Sequence, residues 1–193
     1  MNQKIYNSLQ LILLDRDGVI NEDSPDFIRS ADQWQPITGS IEAIAMLQQN
    51  YDVAVCTNQS GIGRGHFDVA ALHQMHEKMN NLIKDAGGGP VDVFFCPHRP
   101  DAGCDCRKPK PGLLQTAMDA KHHSAAETLY VGDSEKDLLA AAAIGCQASL
   151  VLTGKGQQTR LTPAGQANEQ VAENLMSLAR TLTKQHSDVQ VNH

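Results

Sequence analysis

LILLDRDGVIN, residues 11–21, sets a run of apolar residues directly before an acid, a base and a second acid. Leu11 to Leu14 is too short for a helix and shows no polar alternation, which suits a strand buried on both faces of a sheet. Asp15 and Asp17 follow at its carboxyl end. Two carboxylates this close after a buried run repel one another unless a cation or a shared proton relieves them. The stretch therefore predicts a parallel strand and a charged rim where that strand ends.

Runs of the same kind recur as VAVC (53–56), VDVFF (91–95), TLYV (128–131) and SLVL (149–152). Between them lie helical patterns. Ser40 is a candidate N-cap for a helix burying Ile41, Ile44 and Leu47, and Asp68 for one burying Leu72, Met75, Met79 and Leu82. Gly87-Gly88-Gly89-Pro90 stops the second of these. Pro111 opens a helix carrying Leu114, Ala117 and Met118, and Ser134-x-x-Asp137 reads as a capping box before an alanine-rich helix ended by Gly145. A last helix carries Val171, Leu175, Leu178 and Leu182. Strands and helices alternating in this way predict an α/β chain: a Rossmann-like open, mostly parallel sheet with helices on both faces and right-handed crossovers. Residues 5–185 are expected to form a single domain and 186–193 a disordered tail. In such sheets ligands bind beyond the carboxyl ends of the strands.

The bulk composition agrees. At 193 residues, 41% hydrophobic and 20% charged, the chain can fill one core and is not of the disordered class. A formal net charge of -6 argues against nucleic acid as a partner, since a phosphate backbone calls for a basic face. Neither a signal peptide nor a membrane span is legible in the first residues, so a cytoplasmic protein with no membrane partner is expected. The acidic surface and small size point to a monomer. In a reducing compartment the five cysteines do not read as a disulfide framework, and the clustered ones read as metal ligands or catalytic groups. Cys56 and Cys146, each alone in an apolar setting, read as core residues.

The other strand ends carry chemistry too. Strand two ends in Thr57-Asn58-Gln59-Ser60-Gly61, a set of hydroxyl and amide donors. Strand four ends in Gly132-Asp133-Ser134-Glu135-Lys136-Asp137, which adds carboxylates, and Arg107-Lys108 stand just before a helix N-terminus that favours anions. Each alone reads equally as a turn or a cap. Jointly, carboxylate oxygens suit Mg2+, and Mg2+ with a lysine and hydroxyl donors suits a phosphoryl group.

CPHRPDAGCDCRKPKPG, residues 96–112, holds a second constellation. Cys96, His98, Cys104 and Cys106 supply three thiolates and one imidazole, a set that suits tetrahedral structural zinc, although the gaps within each pair are shorter than the common two-residue spacing. His66, His73, His76, His122 and His123 lack such company and read as surface or helix residues. A zinc-dependent binding module or redox sensor would explain the cysteines. It would leave Asp15, Asp17, Thr57, Lys108 and Asp133 with no reason to share one rim.

LLDRDGVIN, VCTNQSG, CRKPKPG and VGDSEKD together resemble the four motifs of the haloacid dehalogenase-like phosphatases, in order and at strand ends. More narrowly, DRDGVIN, TNQSGIGRGHF and CPHRPDAGCDCRKPKPG resemble the D-glycero-D-manno-heptose-1,7-bisphosphate phosphatase family, with its histidinol-phosphatase relatives as the nearest alternative. The likeness runs from about Leu11 to Gly154. Val19 stands where threonine is common and Ser134 where heptose phosphatases often have lysine; the second departure loosens the match to that substrate.

The resemblance implies a capless haloacid dehalogenase-like fold with a zinc-binding loop, and removal of the 7-phosphate of the sugar bisphosphate in the heptose pathway of lipopolysaccharide. It makes Asp15 the nucleophile and Asp17 the general acid and base. Mg2+ is expected on the Asp15 and Asp133 carboxylates and the Asp17 backbone carbonyl. Thr57 and Lys108 are expected to bind phosphoryl oxygens, while Asn58, Gln59 and Arg107 orient the substrate. Asp137 either supports the metal or caps its helix. Segments 15–52 and 57–90 are each too short for a cap domain, so residues 21–36 with Trp34, residues 60–67 and the cysteine segment are expected to shape the pocket.

Overall fold

A computed structural model describes residues 8–191. The chain begins with β1 (Leu11–Leu14), then α1 (Ser40–Leu47), β2 (Asp52–Asn58), the short α2 (Ser60–Gly63), α3 (Val69–Asp85) and β3 (Asp92–Cys96). It continues with α4 (Gly112–Lys121), β4 (Thr128–Gly132), α5 (Glu135–Ala143) and β5 (Gln147–Val151). The short α6 (Gly156–Thr159) and α7 (Pro163–Ala167), the edge strand β6 (Val171–Ala172) and α8 (Leu175–Val191) complete it. The strands form a wholly parallel sheet in the order β3-β2-β1-β4-β5-β6. β1 thus lies inside the sheet, with Leu14 in register with Val55 on one side and Val131 on the other.

Burial on both faces explains the unbroken apolar runs. Ile12 and Leu14 face a core built with α1, α3 and α8 through Ile44, Met75, Met79 and Leu178. Leu11 and Leu13 face the opposite core, filled by Leu114, Ala117 and Met118 of α4 and Ala140 and Ala141 of α5. Each fully buried leucine or isoleucine here contributes roughly 1.5–3 kcal/mol relative to exposure. Cys56 and Cys146 are buried in the second core, as expected.

The caps decide the helix boundaries. Asp68 accepts from the Ala71 amide and starts α3, and Ser134 and Asp137 form the expected capping box of α5. Ser40, expected as an N-cap, lies inside α1 behind Gly39, which takes the left-handed conformation. The Ser40 hydroxyl instead donates to the Ile20 carbonyl at 2.6 Å. Val171 is not in the last helix. Asn174 accepts from the Ser177 amide at 2.9 Å and the helix begins only at Leu175, which leaves Val171 extended and paired with Leu150. The four-residue step from Val171 to Leu175 imitates a helix period. α8 continues to Val191, past the boundary expected at 185, so the segment expected as a disordered tail is helical as far as it is described. Residues 5–7 and 192–193 lie outside the described residues. Among those described, no helix is long and apolar enough to cross a membrane.

Candidate active site

All the strands point their carboxyl ends at one rim, and a cavity of about 460 Å³ opens there, lined among others by Asp15, Asp17, Thr57, Arg107, Lys108 and Asp133. β1 delivers Asp15, whose amide continues the ladder by donating to the Val131 carbonyl at 2.8 Å. β2 delivers Thr57, and the turn after β4 delivers Asp133. Lys108 arrives from the loop before α4. The Asn58 side chain holds that loop by bonding both the carbonyl and the amide of Lys108, at 3.1 and 3.2 Å.

Lys108 is almost wholly enclosed. Its ammonium lies 2.9 Å from Asp15 Oδ1 and 2.7 Å from Asp137 Oδ1, and it also donates to the Tyr130 hydroxyl at 2.6 Å and the Cys56 carbonyl at 3.0 Å. Burial works against its charge, but Asp137 and then Asp15 outweigh it and raise its pKa above the ordinary lysine value. Asp137 spends both oxygens: Oδ1 on Lys108 and Tyr130, Oδ2 on the amide and hydroxyl of Ser134. It is cap and counter-ion at once.

Asp17 sits in a different field. Arg16, itself 1% exposed, forks onto it through Nε to Oδ1 at 3.1 Å and Nη2 to Oδ1 and Oδ2 at 2.8 and 3.1 Å. Asn21 adds a bond to Oδ1 and Gln59 one to Oδ2, each at 2.9 Å. Burial alone would raise the pKa of Asp17; the Arg16 charge and these donors hold it below the usual carboxylate range. The same Gln59 nitrogen donates to Thr57 Oγ1 at 2.9 Å, which leaves the threonine's own proton free for another acceptor.

Asp15 and Asp133 are pushed the other way. Burial raises Asp15 to about 8 against the pull of Lys108, helped by Asp137, Asp133 and Asp17. Asp133 rises to about 7 through burial and Asp137, although the Lys155 amide donates to its Oδ2 at 2.7 Å. Gly18 and Gly154, both at positive φ, stand against that carboxylate so closely that a Cβ on either would collide with it. Oxygens of Asp15, Asp133 and Asp137 lie within 4.8 Å of one another. Asp137 is fully engaged, whereas Lys108 meets only Oδ1 of Asp15 and the Lys155 amide only Oδ2 of Asp133, and a hard divalent cation fits that donor set.

The cysteine loop is equally close-knit. Cys106 Sγ lies 3.3 Å from both Cys96 Sγ and His98 Nδ1, and Cys96 Sγ lies 3.6 Å from His98 Nδ1 and 3.7 Å from Cys104 Sγ. Zinc bonds of about 2.3 Å to sulfur and 2.0 Å to nitrogen place tetrahedral ligands about 3.5–3.8 Å apart; two of these edges lie in that range and the two at 3.3 Å are slightly short of it, so the cluster is compatible with zinc. Burial, aided by the neighbouring thiols, pushes Cys96 up to about 12, which three adjoining thiolates would need a cation to overcome. The loop touches the active-site rim where Arg107 Nη1 donates to the His98 carbonyl at 3.3 Å.

All the expected rim residues therefore converge, but not all in the expected attitude. Asn58 and Gln59, expected to orient substrate, line the cavity with their amides already committed to Lys108 and to Asp17 and Thr57. Trp34, expected beside the pocket, is fully buried in the core. Asp23, Phe27 and Phe67 do line the pocket, as their segments predict, and so do Lys155, Gln158 and Thr159, which the sequence reading passed over. Arg16 and Tyr130 were missed as well. A tyrosine in a strand buried on both faces must place its hydroxyl on a partner, and an arginine between two acids must find one of them, so a signal existed for both.

The HAD-hydrolase-like family matches residues 105–178. A D-glycero-beta-D-manno-heptose-1,7-bisphosphate 7-phosphatase of Neisseria meningitidis serogroup A is 51% identical over 152 residues, 78% of this chain and 81% of that protein. The enzyme of the same name from Escherichia coli K12 is 36% identical over 194 residues, covering 95% of this chain and 98% of the relative. The crystal structure of a D,D-heptose 1,7-bisphosphate phosphatase from B. bronchiseptica, complexed with magnesium and phosphate, is similar with a TM-score of 0.87 at 43% identity, over 91% of this chain and 99% of that one.

Proposed function

The chain belongs to the D-glycero-beta-D-manno-heptose-1,7-bisphosphate 7-phosphatases, a family of HAD-like hydrolases, and from that premise we propose that it removes the 7-phosphate of D-glycero-D-manno-heptose 1,7-bisphosphate through an aspartyl-phosphate. The observation that carries the mechanism is the pairing of Lys108 Nζ with Asp15 Oδ1 at 2.9 Å, in a cavity that Thr57 and Asp133 share.

Asp15 attacks phosphorus, and the bond to the sugar oxygen breaks as the Asp15–phosphorus bond forms. Asp17, held ionised by Arg16 in the free enzyme, takes up a proton from solvent as the phosphate dianion enters and gives it to the departing alkoxide. It then takes a proton from the water that attacks the aspartyl-phosphate, releasing phosphate and restoring the Asp15 carboxylate. Thr57 donates its free hydroxyl proton to a phosphoryl oxygen, and Lys108 supplies fixed positive charge beside the nucleophile in a site where water does not screen it. The Asp15 and Asp133 carboxylates and the Asp17 carbonyl would hold Mg2+, which would supply charge that offsets repulsion between nucleophile and phosphate. Arg107, on the rim, suits the hydroxyl-rich or phosphorylated remainder of the substrate. Cys96, His98, Cys104 and Cys106 hold a structural zinc that does no chemistry. We read the enzyme as a cytoplasmic monomer in the nucleotide-activated heptose pathway of lipopolysaccharide.

The deciding experiment compares phosphate release from both heptose-bisphosphate anomers and from histidinol phosphate, with and without Mg2+, in wild type and Asp15→Asn. Mg2+-dependent release favouring the bisphosphate, reduced to background in the variant, is expected. A higher specificity constant for histidinol phosphate would overturn the substrate, and full activity of Asp15→Asn would overturn the mechanism.

A further inference from the structure

Among the described residues Arg16 is the one guanidinium buried in this rim, and although the residue lines the cavity, its guanidinium nitrogens are engaged by Asp17 and Met75. Its side chain is 1% exposed, with Nη1 against the Met75 sulfur at 3.8 Å and the rest of the fork on Asp17. Burying such a charge is costly unless its position matters or its partner compensates, and here the partner is the residue directly after it in the chain. An ion pair between chain neighbours does not itself tie distant segments together, and the one distant contact of this guanidinium is to the Met75 sulfur. The pair does fix the plane of the Asp17 carboxylate.

The geometry is specific on that point. Nε and Nη2 reach Oδ1, Nη2 also reaches Oδ2, and the Asn21 and Gln59 amides add one donor each to Oδ1 and Oδ2. Asn21 is fully buried and Gln59 is 4% exposed, so these donors cannot drift into water. Asp17 alone among the three keeps an open side, at 24% side-chain exposure towards the cavity. A carboxylate that must deliver and then recover a proton at one place is effective only when its angle is set beforehand.

We propose that Arg16 is a positioning residue for catalysis: it orients the Asp17 carboxylate for both proton transfers and touches neither substrate nor phosphorus. The inference rests on the phosphatase reading above. A lysine in its place keeps the charge but loses the planar fork, so Arg16→Lys is not a conservative change here.

The test uses the full-length, Mg2+-loaded protein. Arg16→Lys is expected to lower kcat on the heptose bisphosphate by about 100-fold, the lower end of what a general acid and base contributes, with KM within about threefold of wild type. With 4-nitrophenyl phosphate, whose leaving group needs no proton, the pre-steady-state burst of nitrophenolate is expected to change by less than about fivefold. In an Asp17→Asn background, Arg16→Lys is expected to cost nothing further, because the two residues act as one.

Equal losses on both leaving groups, unchanged kcat, or additive losses in the double variant would overturn the proposal. If Arg16→Lys does not fold, Arg16→Met, whose chain fills the same slot beside Met75, carries the same measurements; failure of both to fold would make Arg16 structural and also overturn it. Wild type inert towards the bisphosphate would instead sink the phosphatase reading, and this role with it.

Discussion

Lys108 and Asp137 form an ion pair of 2.7 Å in which neither side chain is more than 2% exposed. Such a pair is worth little against an apolar replacement, but removing one partner strands the other. Asp137→Asn keeps the shape and leaves Lys108 with Asp15 as its only carboxylate. The expected cost is about 3 kcal/mol of unfolding free energy, the lower end of the range for a broken buried pair because Asp15 remains. Urea denaturation checks it, and a loss within the roughly 0.5 kcal/mol expected at a surface site would show that the pair is not what holds Lys108.

Gly18 stands at φ 85 with its α-carbon facing the Asp133 carboxylate, so Gly18→Ala meets two obstacles. The left-handed backbone costs about 1–2 kcal/mol for an L side chain. The new methyl also has to move Asp133, which the Lys155 amide holds in place. Weaker Mg2+ activation, read as a rise of at least about tenfold in the Mg2+ concentration giving half-maximal rate, is the expected result. An unchanged Mg2+ titration would mean that Asp133 relaxes freely.

Much of this could be read from the chain because β1, β2 and β4 are buried on both faces, and burial leaves an unbroken apolar run with a polar stop. The rim residues follow from those stops. For Arg16 and Tyr130 the sequence signals only that a polar partner is needed; which partner each takes depends on where a long side chain points in the assembled sheet. Tyr130 in TLYV reads as core and is core; only the assembled sheet shows its hydroxyl between Lys108, Asp137 and the Cys56 carbonyl. Val171 misled for the opposite reason, since a four-residue step satisfies a helix period without regard to the Asn174 cap that breaks it.

The cysteine loop should be separable from the sheet in its effects. Arg107 reaches it by one bond to the His98 carbonyl, and Asn58 grips Lys108 independently of it. Cys104→Ala, or chelation, is therefore expected to raise KM for the bisphosphate several-fold while kcat falls less, with Lys108 still in place. Metal analysis of wild type should find about one zinc per chain, as a closed three-thiolate, one-imidazole site requires. Zinc-free protein with unaltered KM would remove the link between loop and substrate.

His76 gives the chain an acid sensitivity of its own. The ring lies on α3, 8% exposed, 6.5 Å from the Phe95 ring, with no hydrogen-bond partner for Nε2 among the described residues. Burial, then the Arg16 and His73 charges, lower its pKa from 6.5 to about 3, with Asp17 pulling weakly the other way. Between those two values the unfolded chain binds a proton that the folded one refuses. Stability from this group is thus complete above about pH 6.5 and drains away as pH falls towards 3. The slope is about 1.4 kcal/mol per pH unit, or about 2 kcal/mol lost at pH 5 relative to neutrality. His76→Phe keeps an aromatic ring and cannot titrate. Urea unfolding of both proteins at pH 7 and pH 5 should show the wild type losing about 2 kcal/mol more than the variant. Protonation at the zinc ligands affects both alike and cancels in that difference. Parallel losses would mean that His76 takes up its proton in the folded protein.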